Sequence, residues 1–264
     1  MQRLSFRKIC ISLSFAFTFF LILAIASLIA VPNVKDVLEA LGTKEMLFSL
    51  RLSLITASAS TAVVMLVAVP VGYALSRFSF WGKSIVSSII DLPMAFPELV
   101  LGLALLLLFG KTPVGSFLSD IGIKVVFTKL GIVVAQVFTA MPYATRISYS
   151  TFETINPRYE LVSRGLGYTE FETFRKITLP LAKGGIFASM IITFARCVGA
   201  FGAVLILAGG SYMNTEILPV TLYLNISYGN IGMAITSGIV LIAVSFLAIL
   251  IFEKLQGGYD VSRT

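Results

Sequence analysis

The chain has 264 residues and a formal net charge of +7, and 57% of its residues are hydrophobic whereas only 12% are charged. Soluble domains carry about 25% charged residues, so this composition excludes a protein whose whole surface faces water. The sequence has no histidine and only two cysteines, which excludes a disulfide framework and disfavours a metalloprotease or a haem protein.

Six apolar segments follow one another along the chain. Each is long enough to cross about 30 Å of hydrocarbon as a helix of about 20 residues, and in lipid the backbone must satisfy its own hydrogen bonds. The predicted spans are 9–31, 53–75, 86–109, 130–150, 186–208 and 231–252. We therefore predict an all-α, polytopic membrane protein with six transmembrane helices, in which residues 1–264 form one transmembrane domain and the helix 9–31 is peripheral.

The first span has a second interpretation. Ala24-Ile25-Ala26 follows an apolar run and resembles the cleavage site of a signal peptide. The apolar stretch is longer than the roughly 7–15 residues usual in a signal peptide, which favours an uncleaved helix.

The third and fourth spans are interrupted by proline, at Pro93 and Pro97 in the third and at Pro142 in the fourth. The third also contains Asp91 and Glu98. Proline is tolerated in a membrane helix when neighbouring helices satisfy the freed carbonyl groups. We therefore expect these two spans to face protein more than lipid.

Lysine and arginine are distributed unevenly between the two sides of this bundle. With the N-terminus inside the cell, thirteen of the twenty lie in cytoplasmic segments, where positively charged loops stay. We predict a multi-pass protein of the cell membrane with both termini in the cytoplasm. The net positive charge is then explained by the orientation of the chain in the lipid bilayer. A nucleic-acid partner is not indicated, because it would require basic and aromatic residues interleaved on one soluble surface.

The longest predicted cytoplasmic segment, residues 151–185, is polar and is called the knob below. Asn156-Pro157 is typical of a helix start, and Gly167 permits the left-handed turn that ends that helix. Thr169 and Glu172 form the pattern of a capping box that opens a second helix, which we expect Pro180 to close.

Apolar residues recur at helical spacing in the knob, at Val162, Leu166, Phe171 and Phe174. Two short helices cannot hold a core of their own, so these side chains must be buried elsewhere. One interpretation places them on lipid headgroups, and the other places them in a groove of a partner protein.

The run from Glu160 to Gly167, followed by nine residues and then Ile177-Thr-Leu179-Pro180, resembles the EAA loop of ABC importer permeases. Val162 and Ser163 stand where that family usually has two alanines, and Gly165 is atypical. The resemblance implies that the knob inserts into a groove on an ATPase subunit and transmits its closure to the membrane helices. The coupling residues that it implies are Glu160, Val162, Ser163, Arg164, Leu166, Gly167, Phe171, Ile177, Leu179 and Pro180.

The chain itself shows no nucleotide site. Gly82-Lys83-Ser84 and Gly110-Lys111-Thr112 resemble the end of a P-loop, but Arg77 and Leu105 stand where its first glycine is required. We therefore expect no cofactor, no metal and no catalytic role. The resemblance implies two copies of a separate ATPase chain and a second permease, for which a homodimer is simplest and a heterodimer fits equally well.

Arg196 is predicted near the middle of the fifth span, with Glu98 in the third span as its candidate partner. Charged residues inside a membrane usually face a bundle interior or a watery path. Arg196 is thus either half of a structural ion pair or a source of positive potential along a route for an anion. Gly199 belongs to a small-residue spacing with Ala195 and Ala203 that allows close helix approach.

Three stretches are similar to permeases for molybdate, tungstate and sulfate: Ala195–Gly210, Glu216–Leu224 and Asp91–Pro97. In that family a glutamate is typical at the position of Ala200, and we expect Glu98 to replace it as counter-ion to Arg196. The resemblance implies an external binding protein, for which loops 33–50, 110–129 and 209–230 are the docking candidates. An ion-gradient-driven transporter is the alternative, since broken helices and intramembrane carboxylates are usual there.

Overall fold

The computed structural model describes residues 2–30 and 34–255, and these residues form helices joined by short connections. The predicted cytoplasmic C-terminus lies outside the described residues. The helices are α1 Gln2–Ala30, α2 Val34–Leu41, α3 Lys44–Arg77, α4 Lys83–Ala95, α5 Glu98–Lys111, α6 Pro113–Asp120, α7 Lys129–Thr154, α8 Arg158–Gly165, α9 Glu170–Thr173, α10 Leu179–Val198, α11 Gly202–Ala208, α12 Leu218–Ser227 and α13 Ile231–Leu255. The all-α prediction is confirmed, since no strand occurs in the described ranges.

Among the described residues, five helical segments are long and apolar enough to cross a membrane, and a bent helix pair is a sixth candidate if it forms one span. The five are Phe6–Leu28, Lys44–Arg77, Lys129–Thr154, Glu170–Val198 and Ile231–Ala248. Pro142 does not interrupt the fourth predicted span, because α7 is continuous through it. The structure thus has five or six candidate spans against the six predicted, and two of the predicted spans have a different shape.

The third span is not one helix. α4 and α5 meet at an angle of 114° across Phe96 and Pro97. Proline disfavours helical backbone angles in the residue before it, and Phe96 is extended, with φ −84° and ψ 141°. Pro93 lies inside α4 without ending that helix, so the break comes from Pro97.

The fifth span ends ten residues earlier than predicted. α10 ends at Val198, and residues 199–201 separate it from the short helix α11. Arg196 consequently lies in the last turn of α10 and not halfway along a span. Gly199 is exposed, and among the described residues a Cβ added to it would meet only Ala195 of its own helix, so Gly199 does not make the close approach that the spacing allows. The close approach is made by Ala203, whose Cα would lie 2.8 Å from a Cβ added to Gly102 on α5.

α3, α7 and α10 form the centre of the bundle. The side chain of Gln136 on α7 is fully buried, accepts a hydrogen bond from Ser60 on α3 (2.8 Å) and donates one to the carbonyl oxygen of Cys197 on α10 (2.9 Å). Such bonds hold helices together where lipid offers no hydrophobic driving force between them. At Gly72 the backbones of α3 and α7 approach so closely that a Cβ would lie 2.8 Å from Ser148 Cβ.

α1 lies at the edge of this arrangement and contacts α13. The side chains of its apolar stretch Phe6–Leu28 are almost all exposed, Cys10 among them. Cys10 is therefore not packed inside the bundle, whereas Cys197 is fully buried in the α3–α7–α10 core. An apolar surface of this kind is compatible with lipid contact.

Candidate functional site: the knob and the buried charged residues

The knob has the predicted local structure at its first helix and at its turn. Asn156 Oδ1 accepts a hydrogen bond from the backbone N–H of Arg158 (3.0 Å), which satisfies one of the free donors at the start of α8. Gly167 has φ +92°, the left-handed conformation that favours glycine. Thr169 and Glu172 form a complete capping box at the start of α9, each accepting from the other's backbone N–H.

Pro180 does not close the second helix, contrary to the prediction. A single π-helical turn, Phe174–Thr178, follows α9 and leads directly into α10, of which Pro180 is the second residue. Proline has no backbone N–H to donate and is tolerated in the first turn of a helix. The knob is therefore continuous with the membrane helix that follows it.

Glu160 fastens the knob to the bundle. Its carboxylate is buried, accepts a hydrogen bond from Arg77 Nε at 2.9 Å and accepts another from Thr178 Oγ1, also at 2.9 Å. Arg77, the last residue of α3, also donates through Nη2 to the carbonyl oxygen of Ile155 (2.7 Å). A buried ion pair is compatible with a stable fold only when its polar atoms find further partners, and Thr178 supplies one to Glu160 Oε1 and the Ile155 carbonyl one to Arg77.

One further contact lies within the knob, and a cluster of aromatic rings joins the knob to α3 and α7. The hydroxyl groups of Ser163 on α8 and Thr173 on α9 lie 3.0 Å apart and are buried. Phe174 packs against Tyr73 of α3, with ring centroids 4.7 Å apart, and Tyr73 packs edge-on against Phe152 of α7 (5.3 Å). Movement of the knob must therefore carry the ends of α3 and α7 with it.

The opposite face of the knob is exposed and apolar. Val162, Leu166 and Phe171 are 63%, 75% and 70% exposed. The Arg164–Glu170 ion pair (3.0 Å) lies at the surface, and Gly167 is exposed. The remaining predicted coupling residues lie where the knob joins α10: Ile177 and Leu179 are half-buried, and Pro180 is exposed. The knob therefore presents Val162, Leu166 and Phe171 outwards, whereas Glu160 and Ser163 face inwards.

Glu98 and Arg196 do not form the expected ion pair. Glu98 Oε2 accepts hydrogen bonds from the backbone N–H groups of Phe201 (3.3 Å) and Gly202 (3.1 Å), at the start of α11. Two free amides and the positive end of a helix satisfy a carboxylate without any arginine. Glu98 thus closes the break between α10 and α11.

Arg196 has an aromatic partner. Its guanidinium carbon lies 4.1 Å from the ring centroid of Tyr143 on α7, and its Nη2 donates to the Tyr143 hydroxyl (2.5 Å). Its Nε is buried and has no hydrogen-bond partner in the part of the chain that the structure describes. The positive charge is thus held by a π face and not neutralised by a carboxylate.

Sequence reasoning missed Arg77 as the partner of Glu160, and it missed the ion pair of Arg146 on α7 with Asp91 on α4. The paired residues are 83 and 55 positions apart, so no local spacing signals either pair.

Apolar spans around a fixed polar knob define a multi-pass membrane protein, and the resemblance seen in the sequence is confirmed by its relatives. The family described as "Binding-protein-dependent transport system inner membrane component" matches residues 68–259, and the chain belongs to that family.

Named relatives cover most of the chain. The sulfate transport system permease protein CysT of Salmonella typhimurium is 33% identical over 188 residues, which are 71% of this chain and 68% of that protein. The molybdate/tungstate transport system permease protein WtpB of Methanocaldococcus jannaschii is 31% identical over 224 residues, 83% of this chain and 87% of that protein.

A solved structure shares the fold. A chain of the bacterial alginate ABC transporter, in complex with alginate pentasaccharide-bound periplasmic protein, matches with a TM-score of 0.77 and covers 97% of this chain and 94% of its own length. At 15% sequence identity, this match concerns the fold alone.

Proposed function

We propose that the chain is the permease subunit of an ATP-driven importer for a tetrahedral oxyanion, molybdate, tungstate or sulfate, delivered by an extracytoplasmic binding protein. The names of the sulfate and molybdate/tungstate permeases to which it is similar support this class of cargo. In this proposal residues 1–264 form one permease domain in the cell membrane, with the N-terminus, the knob and the C-terminus in the cytoplasm.

The observation that carries the proposal is the two-sided construction of the knob. Its inner side is fastened by the Arg77–Glu160 pair, and its outer side exposes Val162, Leu166 and Phe171. A fixed apolar projection of this kind suits insertion into a groove of a partner protein. The partner is an ATPase chain, because the permease has no nucleotide-binding motif of its own. Two copies of it are present, one for the knob of each permease.

The contact with lipid headgroups is the less favoured use of this surface. Phe171 is flanked in the sequence by Glu170 and Glu172, whose carboxylates are at the surface. Cytoplasmic membrane surfaces are negatively charged and attract basic segments. Carboxylates on both sides of the exposed aromatic ring therefore favour a protein groove.

Arg196 supplies positive potential to the translocation pathway in this proposal. Its guanidinium lies on Tyr143, and its Nε is left without a protein partner among the described residues. Glu98 and Gly199 contribute by shaping the break that follows α10, since Glu98 caps α11. A second permease copy completes the pathway, either the same chain or a related one.

Reconstitution with the ATPase and the binding protein tests the proposal. We expect binding protein loaded with molybdate, tungstate or sulfate to stimulate ATP hydrolysis in proteoliposomes, with uptake that survives collapse of ion gradients. Uptake that needs no ATPase and stops when the gradients collapse would indicate an ion-driven transporter instead. Failure of all three oxyanions to stimulate hydrolysis would remove this cargo class.

A further inference from the structure

A cleft opens at the knob end of the bundle, between the last turns of α7 and the first turns of α10, and charged side chains reach its mainly apolar lining. Its volume is about 650 Å³, and its lining includes Arg146, Ser150, Thr154 and Lys183. Lys183 forms no ion pair with any described residue. The Thr154 hydroxyl donates to the carbonyl oxygen of Thr151, so the groups of the cleft that suit an oxyanion are the two cationic side chains and the Ser150 hydroxyl.

Arg146 already holds an anionic group in the fork of its guanidinium. Its Nε and Nη2 donate to the two carboxylate oxygens of Asp91, a two-point contact. The same fork matches two oxygens of a tetrahedral oxyanion. Half of the Arg146 side chain and about a quarter of the Asp91 side chain are exposed, so an anion from solution has access to the fork and can compete with Asp91 for it.

The cleft is linked to Arg196 along one face of α7. Tyr143, on which Arg196 lies, and Arg146 are three positions apart, and Ser150 follows four positions later. Residues at these spacings are neighbours on a helix surface. Positive charge therefore recurs from Arg196 through Arg146 to Lys183, in the direction of the knob.

α4, which carries Asp91, lies at the surface of the bundle against α7. None of its residues is buried, and the break at Phe96 and Pro97 separates it from α5. A small shift of α4 relative to α7 would withdraw Asp91 and expose the fork of Arg146.

We propose that Arg146 and Lys183 form an oxyanion site at the knob end of the pathway, which holds the cargo as it leaves, and that Asp91 occupies the Arg146 fork when the site is empty. This inference rests on the proposed function. A lipid phosphate has the same chemistry, but the connection to Arg196 and the carboxylate of Asp91 within the site favour the transported anion.

If the site exists, cargo on the knob side of the membrane should inhibit further uptake. Proteoliposomes of the complete complex, with ATP inside and binding protein outside, take up labelled molybdate or sulfate, and the lumen is preloaded with the unlabelled anion. Removing one charge-assisted contact corresponds to about tenfold in affinity. We expect Lys183→Ala and Arg146→Lys each to raise the half-inhibiting luminal concentration about tenfold, and Asp91→Asn to lower it.

Matched variants guard against indirect effects. Lys183→Arg retains the charge, so luminal anion should inhibit uptake by this variant as it does in the wild type. Lys83→Ala removes a lysine of α4 that does not line the cleft, so it should leave the half-inhibiting concentration unchanged. No luminal inhibition of the wild type, or equal effects of Lys183→Ala and Lys83→Ala, would overturn the inference while the proposed function stands. Absence of binding-protein-dependent uptake by the wild type would overturn both.

Varying the lipid composition distinguishes a bound lipid headgroup from the transported anion as the occupant of the cleft. If the Lys183→Ala effect appears only in vesicles that contain phosphatidylglycerol and does not depend on luminal molybdate or sulfate, then a lipid headgroup occupies the cleft and the cargo site is refuted. An effect of equal size in vesicles with and without phosphatidylglycerol supports the cargo site.

Discussion

Glu160 is the residue on which the attachment of the knob depends most. Its carboxylate is only about 3% exposed and faces Arg77, which is 9% exposed. Removal of one member of a buried pair leaves the other charge uncompensated, at a cost of about 3–5 kcal/mol. We therefore expect Glu160→Ala to lower the midpoint of thermal unfolding of the purified complex strongly.

The exposed Arg164–Glu170 pair on the same knob provides the control. Both side chains are more than 40% exposed, and exposed pairs contribute about 0–1 kcal/mol. Arg164→Ala should therefore leave the unfolding midpoint almost unchanged. Equal losses in Glu160→Ala and Arg164→Ala would show that the buried pair does not hold the knob.

Glu216 lies in the connection between α11 and α12. Its surroundings lead us to expect that the free energy of unfolding depends on pH. Burial raises the pKa of its carboxyl group, and the charge of Glu45 raises the pKa further. Its Oε2 has no hydrogen-bond partner among the described residues. The folded chain thus binds this proton more tightly than the unfolded chain does, so Glu216 lowers stability as pH rises above about 4.3.

Glu216→Gln removes this titration with little change of shape. We expect the variant to unfold at a higher temperature than the wild type at pH 8, and the difference to shrink as the pH falls towards 4. Thermal scans of both proteins across this range measure it. A difference that is the same at pH 4 and pH 8 would exclude the carboxyl group as its source.

Individual residues of the knob could be predicted from the sequence, but their distant partners could not. Asn156, Gly167 and the capping box of Thr169 and Glu172 follow local rules that a short window contains. The partner of Glu160 is 83 positions away, so nothing in the window around Glu160 indicates it. The expected pairing of Glu98 with Arg196 failed because backbone amides, which every sequence offers, satisfy Glu98.

At the scale of the helix, Gly72 tests the contact between α3 and α7. A Cβ at this position would lie 2.8 Å from both Ser148 Cβ and Tyr149 N, and the backbone of α7 cannot rotate away as a side chain can. We expect Gly72→Ala to destabilise the protein by about 1–3 kcal/mol, as overpacking of a dense core does. Thermal unfolding in detergent measures the loss.

Gly165→Ala is the matched substitution, because a Cβ at Gly165 would meet no atom within 4 Å. Alanine is favoured over glycine in a helix, so this variant should be as stable as the wild type or more stable. If Gly72→Ala were equally harmless, the helices would not be in close contact at this point.

The spans themselves could be predicted because apolar length is a property of the sequence alone. Their breaks could not be predicted fully. Pro97 gives a local reason for a break, yet the 114° angle between α4 and α5 depends on what they pack against. The break at residues 199–201 contains no proline, and the segment remains apolar across it, so hydropathy extends the fifth span to 208.

For the whole molecule, the knob is continuous with one membrane helix and fixed to two others. The π-helical turn leads into α10 without a break, Arg77 joins the knob to α3, and Phe174 reaches Phe152 of α7 through Tyr73. These are the helices that Gln136 and its partners join inside the bundle. A force on the knob is therefore delivered to the centre of the bundle and not to a flexible loop.

The last prediction concerns the exposed apolar face of the knob. Leu166→Asp and Phe171→Asp place a charge where an apolar side chain is 75% or 70% exposed. Neither change disturbs a buried contact, so we expect both variants to fold and insert normally. If this face docks into the ATPase, the variants will lose co-purification with it, and uptake will fall at least tenfold, the effect of about 1.4 kcal/mol.

Trp81 provides the control for that experiment. It is 96% exposed and lies between α3 and α4, outside the knob. Trp81→Asp introduces the same charge at an exposed aromatic position and should retain both the ATPase and uptake. Because the Arg77–Glu160 attachment is intact in all three variants, normal uptake by Leu166→Asp and Phe171→Asp would mean that the ATPase drives the membrane helices through another surface.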